Sequence, residues 1–397
     1  MVPELEFSVK ESEVIEELRR RFKENIGTDK YEDKMMFYRF LKARDFNVDR
    51  AEEMLKKHLE WREEKKVDTL LRYYKPNEVF HKYLSASFVG FDKEGCIVRY
   101  IPYGKIDMKG VCMSMKYVDF ERYIIYLMEN DLASLENQSK ILGRNVSKCV
   151  YIYDFENLSF AQSTDRKCIE NAMAAFKIYQ DNYPERLKAA FAINASMFFS
   201  VGFAIVKSCI ASSILKKVHI FGQDGWKEEL LKCIDGEVLP AFLGGKKTDP
   251  DGNPLCKTFI NHGGKVPEKY YIHKSIRSLA DAEEAKRIVL PRASYHEETI
   301  IVEEPESFLE WEFETKARDV GFGLFLQEMD SEGEKMTELV PIQRIDTDEY
   351  AETGMYKCEK AGKYIILFDN TYSWLRSKEI YFKLSVKNPE VGQKIQF

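Results

Sequence analysis

Histidine, cysteine and carboxylate side chains are the usual carriers of metal, nucleophilic and acid–base chemistry, and their spacing here assembles none of these. The six histidines are His58, His81, His219, His262, His273 and His296. No two fall at i,i+4, the spacing that puts a ligand pair on one helix face. His58 and His219 therefore read as packed or hydrogen-bonded residues. The eight cysteines are scattered with no C-x-x-C pair, which indicates neither a zinc site nor a disulfide framework. There is no G-x-S-x-G elbow for a hydrolase nucleophile. Gly244-Gly-Lys-Lys-Thr248 lacks the spacing of a phosphate loop. Gly321-Phe-Gly323 lacks the third glycine of a dinucleotide fingerprint. Acidic residues are abundant, but their setting marks no catalytic pair. The expectation is a protein that is not an enzyme and carries no cofactor or metal.

The pattern that does stand out is apolar. Leu187 to Ile193 is a nearly continuous hydrophobic run and reads as a strand buried on both faces, of the parallel-sheet type. Asn194 and Ser196 follow, and either can cap a helix. Met197 to Ile210 is then apolar on all sides. Such a helix is buried or faces lipid, and it is too short to cross a bilayer, which takes roughly 17 to 25 apolar residues. Large Phe198, Phe199 and Phe203 beside small Gly202 and Ala204 suit a helix that fills space in one state and opens it in another. Lys207, Lys216 and Lys217 return charge before Val218 to Phe221, which reads as a second short buried strand.

These segments must be placed by the rest of the chain. Its 397 residues suggest two or three domains. A net charge of −6 argues against nucleic acid as a partner. The N-terminus is acidic where a signal peptide would be apolar, so the expected location is cytoplasmic, with peripheral and transient contact with membranes. Residues 1–75 read as helices, with stripes at Val14, Ile15, Leu18 and Phe22 and at Met36, Phe37, Phe40 and Leu41. Arg19, Arg20 and Arg21 read as a solvated face. Asp49 reads as a helix N-cap, with Glu52 completing a capping box. Residues 76–248 alternate strands and helices, including a long helix from Tyr117 to Leu142 stopped by Gly143, which predicts a mostly parallel sheet covered by helices. Residues 249–275 are rich in glycine and proline and read as a surface linker. Residues 276–397 carry short alternating strands such as Phe308 to Phe313 and Ile380 to Val386, the mark of an antiparallel β-sandwich. A boundary at 275 implies that residues 1–275 fold without the sandwich.

Several motifs carry a resemblance. FYRFLKARDFNVDRAEEMLKKHLEWR, Tyr183-Pro-Glu-Arg186, the apolar strand ending at Asn194 and Lys217-Val-His-Ile-Phe-Gly222 resemble the CRAL-TRIO lipid-binding family. VGFGLFLQEMD and FDNTYSWLRSKEIYFKLSV resemble the GOLD domain of vesicle-traffic proteins. The resemblance implies an α/β lipid-binding domain, with a helical N-terminal part and a gate helix, followed by the sandwich. It places a lipid head-group site on Arg44, Glu185 and Lys217; arginine and lysine suit phosphate, and a carboxylate accepts from hydroxyls. Asp45 departs from the family, where a basic residue often follows Arg44. Asn157 stands where glycine is usual, and asparagine can take the left-handed turn that glycine would supply.

A lipid carrier also needs a dry hollow. The candidate lining is Tyr151, Tyr153, Phe176, Tyr179, Phe191, Ile193, Phe199, Phe203 and Val206. The candidate membrane gate is Phe198, Phe199, Lys207 and Lys216. Exposing a chain of about 16 methylenes to water costs on the order of 13 kcal/mol, so a pocket resembling the bilayer removes most of the barrier to exchange. The expected function is binding and transfer or presentation of a hydrophobic lipid: phosphatidylinositol or another phospholipid, tocopherol, squalene or a retinoid. An alternative is a lipid-sensing adaptor in vesicle traffic, with protein partners on the sandwich. A lipid-modifying enzyme is a third, weaker class.

Overall fold

The computed structural model describes residues 7–23, 26–272, 279–316, 319–330, 333–347 and 351–389. The first helices form where capping side chains allow them to start. Ser8 caps Val9–Phe22 in a reciprocal box with Glu11. Asp33 caps Lys34–Lys42 through the Met36 amide at 2.9 Å. Asn47, rather than the expected Asp49, caps Val48–Glu64 by accepting from the Arg50 amide at 3.0 Å. Asp49 already lies inside the first turn, and its carboxylate takes Arg21 at 2.8 Å. The arginine run is correspondingly less solvated than its composition suggests. Arg19 is buried, bonding Glu16 at 2.7 Å and the Tyr31 carbonyl at 3.1 Å. The i,i+4 pairs Glu52–Lys56 and Glu53–Lys57 close at 2.6 and 2.7 Å. The apolar stripes meet in one cluster of Ile15, Leu18, Phe22, Phe37, Phe40, Leu41 and Leu55.

His58 is buried against Phe40 and Trp61, with Nδ1 3.1 Å from Asn182 Oδ1. Burial pushes its imidazole down to about 4, the Asn182 contact opposing and nearby Arg62 and Lys30 adding to the fall. The folded chain thus prefers the neutral ring, while the unfolded chain takes up a proton near 6.5. Stabilisation from this residue is complete above about pH 6.5 and is lost as pH falls toward 4, up to about 3 kcal/mol. Melting temperature should decline over that window in the wild type and decline less in His58→Gln. Parallel curves for the two proteins would remove His58 as the cause.

A five-stranded sheet follows in the order β1 (Ser87–Phe91), β2 (Ile97–Ile101), β3 (Cys149–Asp154), β4 (Leu187–Ile193) and β5 (Val218–Ile220). β1 and β2 are antiparallel; the other pairs are parallel. The helix Tyr117–Leu142 ends at Gly143, whose φ of 63° is the left-handed cap predicted for it. Asn157 takes a φ of 67° as expected. β5 is an edge strand, and Ile220 is exposed rather than buried. Val98, Tyr100, Val150, Ile152, Phe191 and Ile193 form one face of the sheet, packed on Trp226 and Leu230 of the helix Trp226–Cys233. Cys256 and Ile260 join that core, and Val266 is buried as well. The expected linker segment runs largely over the surface and is tied to the sheet by these few apolar side chains. Residues 273–275 of that segment lie outside the described residues.

The C-terminal strands are β6 (Lys286–Leu290), β7 (Tyr295–Val302), β8 (Ser307–Thr315), β9 (Asp319–Asp330), β10 (Gly333–Asp346), β11 (Glu352–Cys358), β12 (Gly362–Asp369) and β13 (Lys378–Lys387). They make two antiparallel sheets, β10-β9-β12-β7 and β11-β8-β13-β6. Leu309, Trp311 and Phe313 alternate inward along β8 against Phe322, Phe368 and Phe382.

The compact units do not follow the chain in two blocks. One comprises residues up to 157, 171–196 and 209–270; the other comprises 158–170, 197–208 and everything from 271. The second unit therefore contains the sandwich and two helices from far upstream, Phe160–Thr164 and Met197–Lys207. Phe160 is fully buried in the sandwich core, its ring 6.2 Å from Trp311 and 6.0 Å from Phe322. Phe198 packs 6.3 Å from Phe160. Thr353 on β11 donates to Asp165 at 3.1 Å. The two helices touch at Gly202, where an added Cβ would fall 2.5 Å from the Ser163 carbonyl oxygen.

Candidate functional site

In the first unit the site is built from β3, β4 and the part of the helix Arg166–Asn182 from residue 171 onward. Side chains alternate across a strand, so the registers Tyr151 with Ala190 and Tyr153 with Ala192 put these four on one face. Phe191 and Ile193 have the opposite parity and sit in the core with Trp226. Of the expected lining, Phe191 and Ile193 therefore face away from Tyr151 and Tyr153 in this structure. On β4 the partners of the two tyrosines are thus alanines, the smallest side chains available.

β3 is the middle strand of five, where side chains are normally covered. Val150 and Ile152 are fully buried, yet Tyr151 and Tyr153 remain partly accessible. Burial alone nevertheless pushes the Tyr153 phenol up to about 12, and burial is the first cause of the large rise at Tyr151. Tyr151 and Tyr153 are thus desolvated by the surrounding protein without being closed off completely. Tyr179 stands edge-on to Tyr151 at 6.4 Å, and its hydroxyl is buried without a hydrogen-bond partner among the described residues. Phe176, three residues earlier on the same helix, is half-buried. Deeper in the sheet, Arg99 pairs with Asp131, its Nε 2.9 Å from Oδ1, and Nη1 donates to the Ala86 carbonyl at 3.0 Å.

Phe199, Phe203 and Val206 belong to the second unit, on the helix Met197–Lys207. Phe199 is buried and stacks 5.1 Å from Phe203. Of the expected gate residues, Phe198 is half-buried against the sandwich core, and Lys207 is exposed. Phe198 thus packs on protein along part of its surface in this structure. Lys216 is exposed and lies in the first unit.

The polar site joins two of its three expected members. Lys217 Nζ lies 3.4 Å from both oxygens of Glu185. Lys42 Nζ lies 3.5 Å from Glu185 Oε2. Arg44 turns instead to the carbonyl of its neighbour Ala43, at 2.9 Å. Lys42 was missed in the sequence, although it stands in the same FLKAR motif, at the last turn of Lys34–Lys42. Glu185 is held in position by an unusual backbone, with φ at 58°. Its contacts are longer than the roughly 2.7–2.9 Å of tight charge-assisted bonds. Two lysines sharing one carboxylate leave a net positive charge that suits an anionic group. Arg186, next in sequence, is structural: Nη1 donates to the Ser147 carbonyl at 3.1 Å, and its own carbonyl accepts from Cys149 at 2.8 Å, at the start of β3.

Among the described residues no group of three or more His, Cys, Asp or Glu gathers as a metal site, and no helix is long and apolar enough to cross a membrane. Residues 81–245 match the CRAL/TRIO domain and residues 14–57 the CRAL/TRIO N-terminal domain, together more than half the chain.

The chain belongs to the CRAL/TRIO family.

CRAL/TRIO proteins bind and transfer small lipophilic ligands. Residues 326–386 match a second domain, described as Golgi-dynamics membrane-trafficking. This order of segments is consistent with proteins like supernatant protein factor. Protein ctg-1 of Caenorhabditis elegans is 24% identical over 353 residues, covering 88% of this chain and 90% of that relative. Protein real-time of Aedes aegypti is 26% identical over 338 residues, covering 82% of this chain and 50% of that relative, so the match spans half of its length. The crystal structure of Sfh5 aligns with a TM-score of 0.47 at 20% identity, over 66% of this chain and 96% of that one.

Proposed function

We propose that this CRAL/TRIO protein holds an amphipathic lipid in a hollow of its first unit and transfers or presents it at membranes. The observation that supports this reading is the set Tyr151, Tyr153 and Tyr179: partly accessible, desolvated, and including one buried hydroxyl with no partner among the described residues. A phenol in that state favours a ligand with a hydrogen-bonding group, such as a phospholipid, tocopherol or a retinoid, over a bare hydrocarbon such as squalene. Lipid extraction and mass spectrometry of the purified chain should recover one such class. A chain that purifies without lipid and extracts none from vesicles would end the proposal. Tyr179→Phe should weaken binding of a hydroxylated ligand by roughly five- to tenfold, on the scale of one hydrogen bond, and leave squalene unchanged. Equal effects on both ligands would place Tyr179 among purely packing residues.

The head-group role of Glu185 and Lys217, joined by Lys42, is part of the same proposal. Lys217→Ala and Glu185→Ala should each reduce phosphatidylinositol binding about tenfold while tocopherol and squalene binding stay within twofold. Equal losses for all ligands would assign the cluster to fold stability. The adaptor reading draws support from the Golgi-dynamics match. It separates cleanly from the carrier reading, because a carrier moves labelled lipid between vesicles unaided and an adaptor binds lipid without moving it.

A further inference from the structure

The loop from β12 to β13, residues 370–377, displays Trp374 and Leu375 at 85% and 88% exposure, side by side. An adjacent Trp-Leu pair left in water is unfavourable unless something covers it. The loop is not loose. Asn370 is fully buried, and its side-chain amide donates to the carbonyls of Pro291 at 2.9 Å and Arg376 at 3.1 Å. The Ala293 amide bonds the carbonyls of Asn370 and Ser373, and the Asn370 amide bonds Ser294. Beneath the tip, Tyr372 is flanked by Arg344 at 4.3 Å and Lys378 at 5.4 Å, both paired with Asp319. The scaffold thus fixes the loop and leaves its two apolar side chains pointing outward.

The charges beside the tip are positive. Arg292 reaches the Trp374 carbonyl at 3.5 Å. Arg292 and Arg376 are both exposed, and neither has a carboxylate partner among the described residues. Tyr295, also exposed, starts the neighbouring strand opposite Asp369.

We propose that this tip is a membrane-docking wedge, with Trp374 and Leu375 entering the interface of an anionic bilayer and Arg292 and Arg376 meeting its lipid phosphates. Indole and phenol rings partition to that depth, and arginines near the surface gain from an anionic leaflet. A bilayer suits a small convex wedge. A protein partner does not, since a stable interface buries about 800 Å² on each side, far more than two side chains offer. The proposal does not rest on the lipid reading of the first unit.

The test uses the full chain with vesicles of phosphatidylcholine alone and of phosphatidylcholine with phosphatidylserine. The wild type should sediment with the second and show a blue shift of tryptophan emission. Trp374→Ser with Leu375→Ser should bind on the order of tenfold more weakly, with the blue shift gone. Arg292→Glu with Arg376→Glu should abolish the preference for anionic vesicles. All four positions are exposed, so melting temperatures should match the wild type. Undiminished binding by the Trp374/Leu375 variant overturns the proposal, as does equal binding of the wild type to both vesicles. A wild type that ignores vesicles but self-associates through the tip, in a manner the Ser variant suppresses, overturns it in favour of a second copy of the chain.

Discussion

Phe160→Ala is expected to destabilise the second unit by about 4 kcal/mol, in the range for a large aromatic removed from a closed core. Phe160 is fully buried and touches Trp311, Phe322 and Phe198 with its ring. Its removal leaves a cavity bounded by rigid rings that cannot collapse into it. It also takes away the support of Phe198, so amides of Met197–Lys207 should exchange with solvent faster while those of β3 and β4 keep their protection. Denaturant unfolding of the full chain, with hydrogen exchange on the same sample, checks both parts. A change below about 1 kcal/mol would mean that the short helix Phe160–Thr164 is not integral to the sandwich. Phe160→Leu, which fills most of the volume, should lose much less.

On the proposed lipid reading, Tyr153→Lys should expel the bound lipid. Desolvation drives the rise in the Tyr153 phenol, and the same burial penalises a new charge there. An ammonium there must stay hydrated or give up its proton, and either outcome opposes an acyl chain. Bound lipid should fall by more than tenfold, while Tyr153→Phe keeps the wild-type content. Lipid content normalised to folded protein is the measurement, because the lysine also costs stability. Retention of lipid by the lysine variant would show that Tyr153 does not face the ligand.

The elements themselves were legible. The strand Leu187–Ile193 and the helix Tyr117–Leu142 fall where the apolar runs and Gly143 place them, because long periodic segments and a left-handed cap are local signals. Register was not legible. Phe191 and Ile193 belong to the opposite face from Tyr151, and only the pairing with β3 decides that parity. Glu185 and Lys217 lie together, as a plain ion pair would also have them, while Arg44 stays apart and Lys42 approaches Glu185 where the chain turns sharply after the helix, with Asp45 and Phe46 both at positive φ. The helix Met197–Lys207 looked apolar on every side, which indicates two covers without naming either. That one of them is the sandwich could not be read from local pattern, since Phe198 and Trp311 are far apart in sequence.

The division of the chain also bears on synthesis. Phe160 and Phe198 leave the ribosome long before Trp311, Phe322 and β11, which complete their surroundings. During that interval both aromatic helices lack their final cover, which makes the nascent chain prone to sticking and a natural client for chaperones. The same holds for any fragment that ends near residue 275: it contains residues 158–170 and 197–208 but not the strands they pack on. Such a fragment should be less soluble than the full chain, and adding the separate sandwich should rescue it only by supplying the missing surface in trans.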